Sequence, residues 1–356
     1  MPNYHIVGQS VQRKDAARKV TGRILHVGNI EMPGLLQVAV LRSPYPHARL
    51  LRIDKSRAEA LEGVVLVLTG ADIAAMPEVD PFFGPAFKDQ PILAIDRVLH
   101  VGDPVVAVAA VDRRRAEDAL QLIEVDYEPL PVVLDVLEAV KSGSPLVHQK
   151  FRPAGMFADL DHVEAGEKTN VCYHFKLRTG DVQEAFREAD RVFEDTFTSP
   201  PAQHMPMEPH VTLVYLDENE RINVWTATQS PSFVRTQLSN TLGLPMNRIR
   251  VRVPYLGGGY GAKLYAKLEP LVAVLALKTH QPVRSALSRE EEFQTITKHG
   301  AVVRIKTAVR NGFITGRRCQ VFFDTGAYAD IGPRIVHKSG YTSAGPYRIP
   351  NVWIDS

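Results

Sequence analysis

The chain has 356 residues, of which 45% are hydrophobic and 23% charged, and its formal net charge is +2. This composition is ordinary for a soluble globular protein, and the balanced charge argues against nucleic acid or a membrane as a partner. Two cysteines are too few for a disulfide framework, a structural zinc site or an iron–sulfur cluster. The start of the chain lacks the apolar core of a signal peptide, which predicts a cytoplasmic location.

The first third of the chain alternates predicted strands and helices. The segment LLQVAVLRS reads as a strand, and SRAEALEG reads as a short helix with serine at its start and glycine past its end. The continuous apolar runs VVLVLTG and PVVAVAAVD are typical of strands buried on both faces. From about residue 140 the pattern dissolves into a stretch rich in Gly, Pro and Asp. We therefore predict a first domain over 1–145 and a linker over 146–170.

The remaining residues, 171–356, form the second predicted domain. A strand, a helix with Asp181 as its N-cap and a second strand lead into the hairpin HVTLVYLDENERINVWTATQ. The helix SPSFVRTQLSNTLGLP follows, with Ser230 as a candidate cap and Gly243 past its end. The segment NRIRVRVPYL is the next strand. Near the end, Asn311 and Gly312 mark the turn of another hairpin.

Three consecutive glycines, Gly257, Gly258 and Gly259, lie between a predicted strand and a predicted helix. Bare backbone of this kind is needed where the turn is sharp or where another group approaches closely. A magnesium–phosphate loop is excluded because Ala262 and Leu264 replace its second glycine and its hydroxyl residue. The spacing does satisfy the dinucleotide fingerprint, although the acidic residue expected ~20 positions later is missing. That reading stays open as an alternative.

The stretch TATQSPSFVRTQLSNTLGLPMNRIRVRVPYLGGGYGAK resembles the cofactor region of the molybdopterin-binding large subunit of the xanthine dehydrogenase and aldehyde oxidase family. The segments VTGRILHVGNIEMPGLLQVAVLRSPYPHARLLRID and VGDPVVAVAAVDRRRAEDALQLIEVDYEPLPVV resemble the hammerhead domain of that family, and MEPH and DTGAYADIGP also match. The resemblance implies an α+β fold. It consists of an N-terminal α/β hammerhead domain followed by the first molybdenum-cofactor-binding domain, which has mixed sheets.

The resemblance also implies site residues. Gln229 aligns with the glutamine that hydrogen-bonds an oxygen ligand of the metal, and a carboxamide can donate there without adding charge. The positions expected to contact molybdopterin are Gln229, Gly257, Gly258, Gly259, Tyr260 and Gly261. No side chain is expected to ligate the metal, because the family binds it through the pterin dithiolene. His204, Glu208 and His210 accordingly do not make a protein-ligated metal site.

Two positions bear on the substrate. Purine-oxidising members carry a glutamate where this chain has Leu264, so a xanthine-like orientation of the substrate is not expected. Lys338 falls near the position of a substrate-binding arginine, where a cation can hold a carboxylate or polarise a carbonyl group.

The family's large subunits are roughly twice as long as this chain, and their arginine-bearing loop and C-terminal glutamate base have no counterpart here. The resemblance therefore implies a partner that supplies the C-terminal half, together with an iron–sulfur subunit and an FAD subunit. It leaves open whether the pterin carries a cytosine nucleotide. The expected function is one part of a molybdenum hydroxylase or dehydrogenase, inactive alone, that oxidises a C–H carbon of a heterocycle or aldehyde with water-derived oxygen. The alternative is a non-catalytic scaffold chain.

Overall fold

The structure is a computed structural model, and it describes residues 4–157, 160, 167–295 and 298–356. Within these residues the strands form sheets of seven, five, three and two strands, with helices packed on them. This is the mixed α+β architecture that the sequence predicts. None of the helices that the structure describes combines the length and the apolar character needed to cross a membrane.

The strands of the first half are short, and many are buried. They are β1 (Leu36–Arg42), β2 (Ala48–Asp54), β3 (Val64–Thr69), β4 (Phe82–Phe83), β5 (Gln90–Pro91), β6 (Arg97–Val98), β7 (Pro104–Ala110) and β8 (Glu124–Pro129). The strands of the second half include two long ones. They are β9 (Lys176–Thr179), β10 (Arg191–Ser199), β11 (Val211–Leu216), β12 (Ile222–Thr226), β13 (Ile249–Arg252), β14 (Val283–Ala286), β15 (Gly300–Arg310), β16 (Phe313–Asp324) and β17 (Asn351–Asp355).

The helices are mostly short connections between these strands. They are α1 (Ala16–Val20), α2 (Ser56–Glu59), α3 (Gly70–Ala74), α4 (Arg113–Leu120), α5 (Val136–Ala139), α6 (Val182–Arg187), α7 (Pro231–Leu242), α8 (Glu269–Thr279), α9 (Arg289–Thr295) and α10 (Gly332–Thr342). Short 3-10 turns lie at Val27–Asn29 and Met246–Arg248.

The seven-stranded sheet has the order β13-β12-β11-β14-β1-β7-β3, so it takes strands from both predicted domains. The join is the parallel pairing of β1 with β14, in which Leu36 lies opposite Val283. One hydrophobic core follows from this pairing, since Leu36 and Leu68 belong to the same buried cluster as Leu238 and Leu275. The division into domains at 145 and 171 stays a prediction, and the two halves share a sheet.

The five-stranded sheet has the order β10-β15-β16-β17-β9 and is built from the second half alone. The hairpin of β15 and β16 turns at Asn311 and Gly312, as predicted, and both residues have positive φ. Helices α6 and α10 pack on this sheet.

Several predicted boundaries agree with the structure, and one predicted contact does not. The side chain of Asp181 accepts a hydrogen bond from the Glu184 backbone N–H and caps α6. Gly243 ends α7 in the left-handed conformation. Ser230 does occupy the N-cap position of α7, but its side chain makes no capping hydrogen bond. The described part of the predicted linker contains no α-helix, and its only strand character is in isolated bridges.

Candidate functional site

The glycine loop, residues 257–263, connects β13 to the turn that precedes α8. Its backbone depends on glycine at two positions, because φ is +102° at Gly258 and +97° at Gly261. Tyr260, which is 70% exposed, also adopts a positive φ. Within the described residues, the backbone N–H groups of Gly258, Gly259 and Tyr260 make no hydrogen bond. The loop therefore presents three consecutive unused donors.

Glu208 fixes the first residue of the loop. The Gly257 N–H donates to Oε2 of Glu208 over 2.7 Å, and the Glu208 N–H donates to the carbonyl oxygen of Gly257 over 3.1 Å. A Cβ atom on Gly257 would lie 2.5 Å from Cβ of Glu208, so only glycine permits this approach. His26, from the first half of the chain, places Nδ1 3.4 Å from the other oxygen of Glu208.

Gln229 fixes the far end of the loop. Its Oε1 accepts hydrogen bonds from the N–H groups of Gly261 (3.0 Å) and Lys263 (3.3 Å), and its own backbone N–H donates to the Lys263 carbonyl oxygen over 2.7 Å. A Cβ on Gly259 would lie 2.4 Å from Cδ of Gln229. Because the loop uses the carboxamide oxygen, the amide nitrogen is left as a donor, and the residue is exposed.

Lys263 is a buried cation beneath the loop. Its side chain is 0% exposed, and Nζ donates to the Glu208 carbonyl oxygen over 2.6 Å and lies 3.5 Å from Glu208 Oε2. Burial lowers the pKa of Lys263, and the charge of Glu208 opposes that shift. Glu208 and Lys263 together thus hold the start and the end of the loop through one buried ion pair.

A second buried pair supports the loop from below. Nδ1 of His210 lies 2.8 Å from Oε1 of Glu292, and its Nε2 lies 3.2 Å from the carbonyl oxygen of Ala262. Burial raises the pKa of Glu292, but the hydrogen bonds and charge of His210 outweigh it and hold the pKa below its ordinary value.

His204, the third residue considered as a metal ligand, is partly buried, and burial lowers its pKa. Among the described residues, no group of three or more His, Cys, Asp or Glu side chains is arranged to hold a metal ion.

The two predicted substrate residues are placed differently. Leu264 is half-buried just after the loop, whereas Lys338 is exposed on α10 and makes no ion pair within the described residues. One helical turn earlier on α10, the guanidinium of Arg334 lies 4.5 Å from the ring centre of Phe157. Phe157 packs on Tyr265, the neighbour of Leu264, at 5.9 Å between ring centres. Through Arg334 and Phe157, α10 thus reaches Tyr265, which lies just after the loop.

The structure brings the predicted residues Gln229, Gly259 and Gly261 together through direct contact or hydrogen bonds. The predicted residue Gly257 is held by Glu208 instead. Sequence reasoning missed the supports beneath them. From the sequence, Glu208 and His210 are considered as metal ligands and set aside, and neither they nor Lys263 are expected to support the loop. A usable signal is present, since MEPH and GAK both lie in the segments that carry the resemblance.

Known protein families match both halves of the chain. Residues 163–356 match the family described as the molybdopterin cofactor-binding domain. Residues 21–131 match the a/b hammerhead domain of aldehyde oxidase and xanthine dehydrogenase. These ranges agree with the order of domains that the sequence predicts.

Curated relatives cover nearly the whole chain. A probable xanthine dehydrogenase subunit of Bacillus subtilis (strain 168) is 34% identical over 342 residues, which are 96% of this chain and 43% of the relative. The nicotinate dehydrogenase large molybdopterin subunit of Eubacterium barkeri is 32% identical over 356 residues, which are 99% of this chain and 79% of the relative. The chain thus spans less than half of the first relative and most of the second.

Among solved structures, quinoline 2-oxidoreductase from Pseudomonas putida 86 superposes with a TM-score of 0.85 at 31% sequence identity, and the match covers 98% of this chain and 44% of that one. The aldehyde oxidoreductase of Desulfovibrio gigas superposes with a TM-score of 0.86 at 23% identity, covering 96% of this chain and 37% of that one, which shows the fold alone. Together with the domain matches, these likenesses show that the chain belongs to the xanthine dehydrogenase and aldehyde oxidase family and carries its hammerhead and molybdopterin cofactor-binding domains.

Proposed function

We propose that Gln229 and the glycine loop form one wall of the molybdopterin site in a molybdenum hydroxylase or dehydrogenase. The proposed reaction oxidises a C–H carbon of a heterocycle or aldehyde with oxygen derived from water. The observation that carries this proposal is the orientation of Gln229, whose carboxamide oxygen is used by the loop and whose amide nitrogen stays available. The chain's family membership supports the same proposal.

The donor set of the loop fits this cofactor. Oxo and phosphate oxygens accept hydrogen bonds, and a concave run of backbone N–H groups is well suited to them. Gly258, Gly259 and Tyr260 supply such groups, and no atom lies within 4 Å of the position that a Cβ on Gly261 would occupy. The cofactor would supply two-electron redox chemistry and the activation of water at its metal.

The chain's own residues would bind and orient that group. Gln229 would donate its amide N–H₂ to an oxygen ligand, and the loop N–H groups would hold the cofactor from one side. Donors fixed before the reaction begins stabilise developing negative charge without reorganisation. Glu208 and Lys263 fix the loop ends, so they act through its shape. None of these residues is proposed as the general base that acts on the substrate.

Two side chains bear on the class of substrate. Leu264 gives an apolar wall next to the loop that can neither bind a ring N–H nor accept a proton. Lys338 would bind an acidic or carbonyl group of the substrate, provided that the assembled protein brings it to the pocket. Two similar proteins, a nicotinate dehydrogenase subunit and quinoline 2-oxidoreductase, are named for nitrogen heterocycles, and this favours a nitrogen heterocycle over an aldehyde as the substrate.

Partners are part of the proposal. The chain spans 43% of the Bacillus relative, so we propose that the remaining half of the subunit, on this or another polypeptide, closes the pocket and supplies the base. The Eubacterium relative, of which this chain covers 79%, is itself named a molybdopterin subunit, and this favours a separate half-subunit. An iron–sulfur chain and an FAD chain would carry the electrons away. The cytosine dinucleotide is the proposed form of the pterin.

A scaffold chain that never holds cofactor is the second candidate. It would have no use for a glutamine whose oxygen is fixed and whose amide nitrogen is unused. Molybdenum analysis of the complex purified from its native source decides between the two, because a scaffold predicts no metal at this chain.

The direct test replaces Gln229 in the assembled complex. Gln229→Ala should lower turnover about 10–10³-fold, which is the effect of losing one preorganised donor. Gln229→Glu is the matched variant, since its carboxylate can still accept from Gly261 and Lys263 but cannot donate when ionised. If Gln229 only shapes the loop, Gln229→Glu keeps its activity. If Gln229 is the proposed donor, both variants are slow, and Gln229→Glu, which keeps the two hydrogen bonds to the loop, retains a molybdenum content and a melting temperature near those of the wild type.

A further inference from the structure

Strand β10 is paired along its whole length and yet covered on neither side. All nine residues, Arg191–Ser199, lie opposite residues of β15, from Val309 to Ala301. Every one of them is exposed. The strand is at the edge of the five-stranded sheet, so its second row of backbone N–H and C=O groups has no neighbouring strand among the described residues.

One face of this edge carries two exposed phenylalanines, with Asp195 between them. Phe193 and Phe197 are 50% and 57% exposed, and they lie on the same face because they are four residues apart in a strand. Phe197 is opposite Val303, and the half-buried Ile305 continues the face across β15. Large exposed aromatic residues in a row along an edge strand mark an interaction site or an aggregation hazard.

Natural edge strands are usually protected by charged side chains, a proline, a bulge or a covering segment, and β10 has only the first of these. β10 contains no proline, and its pairing with β15 runs without a shift in register. Its acidic residues are Glu194, which pairs with Lys306 at 3.0 Å, and Asp195, which makes no ion pair within the described residues. The edge is therefore open to a further strand, and it carries one uncompensated carboxylate at its centre.

We propose that β10 is the docking edge for the second half of the molybdopterin subunit, which contributes an extended segment as a sixth strand. This inference rests on the proposed function. The segment would place apolar side chains against Phe193 and Phe197 and a lysine or arginine opposite Asp195. The relative lengths point to this occupant, since the chain spans 43% of the Bacillus relative and the solved quinoline 2-oxidoreductase chain is similarly longer.

A second copy of this chain fits the edge less well. An antiparallel pairing of two β10 strands that sets Phe193 against Phe197 also sets Asp195 against Asp195. Shifting the register by two residues towards the N-terminus sets Glu194 against Glu194 instead. Like charges directly opposite each other in a sheet are destabilising. A shift by four residues would set Arg191 against Asp195, but it would pair only 191–195 and leave Phe197 outside the pairing. The registers that use both phenylalanines thus favour a basic partner segment over self-association.

Hydrogen exchange measured by mass spectrometry tests the docking edge. The outward-facing amides of β10, which β15 does not pair, should exchange at least tenfold more slowly in the assembled protein than in residues 1–356 alone, because an added strand gives them partners. Strand β3, the edge of the seven-stranded sheet, serves as the internal control and should not change. Equal exchange of β10 in both forms would overturn the proposal. Protection that appears in the isolated chain at rising concentration, with a dimer by light scattering, would assign the edge to a second copy and also overturn it.

A pair of variants adds a functional readout. Phe197→Lys should weaken retention of the second half at least tenfold during purification, whereas Leu51→Lys, at a 60% exposed position on β2, should not. The melting temperature of each isolated chain checks folding. Molybdenum content and turnover of the wild-type complex are measured separately. A complex that holds molybdenum but leaves β10 unprotected refutes the docking edge alone, whereas a β10-protected complex without molybdenum refutes the proposed function alone.

Discussion

The two large sheets differ in how far the chain itself covers them. In the seven-stranded sheet, six of the seven residues of β7 are buried, and α8 packs against β11, β14 and β12 with eight of its residues buried. In the five-stranded sheet, all nine residues of β10 are exposed. The first sheet is covered within the described residues, while the second has an edge that they leave uncovered.

The two sides of the proposed site, the cofactor wall and the substrate side, lie on different sheets. The glycine loop connects β13 and α8, both of which belong to the covered region, and its ends are held by Glu208, Gln229 and Lys263. Lys338 lies on α10, which packs on the five-stranded sheet. We therefore propose that this chain by itself forms the cofactor wall, and that the substrate side is completed by whatever covers the five-stranded sheet.

Gly258→Val should have the largest effect, since it breaks the cofactor wall itself. The residue has φ of +102°, and an added Cβ would lie 3.1 Å from the ring of Tyr260. The branched side chain would also stand where three unused N–H groups face the proposed cofactor. We expect the assembled complex to lose its molybdenum while the hammerhead region stays folded, as measured by metal analysis and thermal unfolding of the same sample.

Gly312→Val is the matched control. It also has positive φ, but no atom lies within 4 Å of its Cβ position, and it is in the remote hairpin turn. It should cost a similar backbone strain of about 1–3 kcal/mol and leave the metal content normal. A normal molybdenum content in Gly258→Val would refute the hypothesis that the loop contacts the cofactor.

Lys263→Met tests whether contacts within this chain are enough to hold the loop in the covered region. Removing the buried ammonium leaves Glu208 without its cation, and breaking such a pair typically costs about 3–5 kcal/mol. We expect the isolated chain to lose stability on this scale in denaturant unfolding. Lys278→Met, an exposed lysine at the end of α8, should stay within about 0.5 kcal/mol.

The double variant Glu208→Gln with Lys263→Met completes a cycle. If the two side chains act as a pair, the double variant loses clearly less than the sum of the single losses. Additive losses would mean that Lys263 supports the fold without Glu208.

The sequence predicts the loop because its signals are local. Three glycines between a strand and a helix, together with Gly243 and the hairpin turn at Asn311 and Gly312, need only neighbouring residues to be read. Gln229 could be placed because it belongs to the same continuous resemblance. The hydrogen bond from the Gly261 N–H to the Gln229 side chain could not be predicted, because predicting it requires the three-dimensional path of the loop.

The supports of the loop were missed for a physical reason. Glu208 and Lys263 are 55 residues apart, and a lysine ordinarily remains at the surface, so no pattern predicts that this one is buried. The same holds for the shared sheet. Each of β1 and β14 reads as a strand, but the pairing of Leu36 with Val283 joins distant segments that no local periodicity connects.

Replacing Asp89 should have the smallest effect. This residue belongs to the first half of the chain and contacts the loop that follows β16. Asp89 is buried, and its Oδ2 accepts a hydrogen bond from the Ala329 N–H over 2.7 Å, while Oδ1 has no partner within the described residues. Burial raises the pKa of Asp89 to about 7. The folded chain therefore keeps a proton that the unfolded chain releases near its ordinary value. Stability from this group is fully present at low pH and is lost as the pH rises towards 7.

Asp89→Asn keeps the shape of the side chain and cannot ionise, so it removes this pH dependence. The difference in the free energy of unfolding between the variant and the wild type should grow by roughly 2 kcal/mol in favour of the variant from pH 5 to pH 7.5. Asp80→Asn is the control of opposite sign. Burial works against its charge, but Lys88 and Arg152 hold the pKa of Asp80 below its ordinary value, so that variant should be less stable than the wild type at neutral pH. A constant difference for Asp89→Asn across this range would mean that Asp89 is already ionised in the folded chain. The junction between the two regions would then contain a buried carboxylate with one oxygen that has no hydrogen-bond partner among the described residues. The buried polar groups there would be less fully hydrogen-bonded than the dense packing of the seven-stranded sheet suggests.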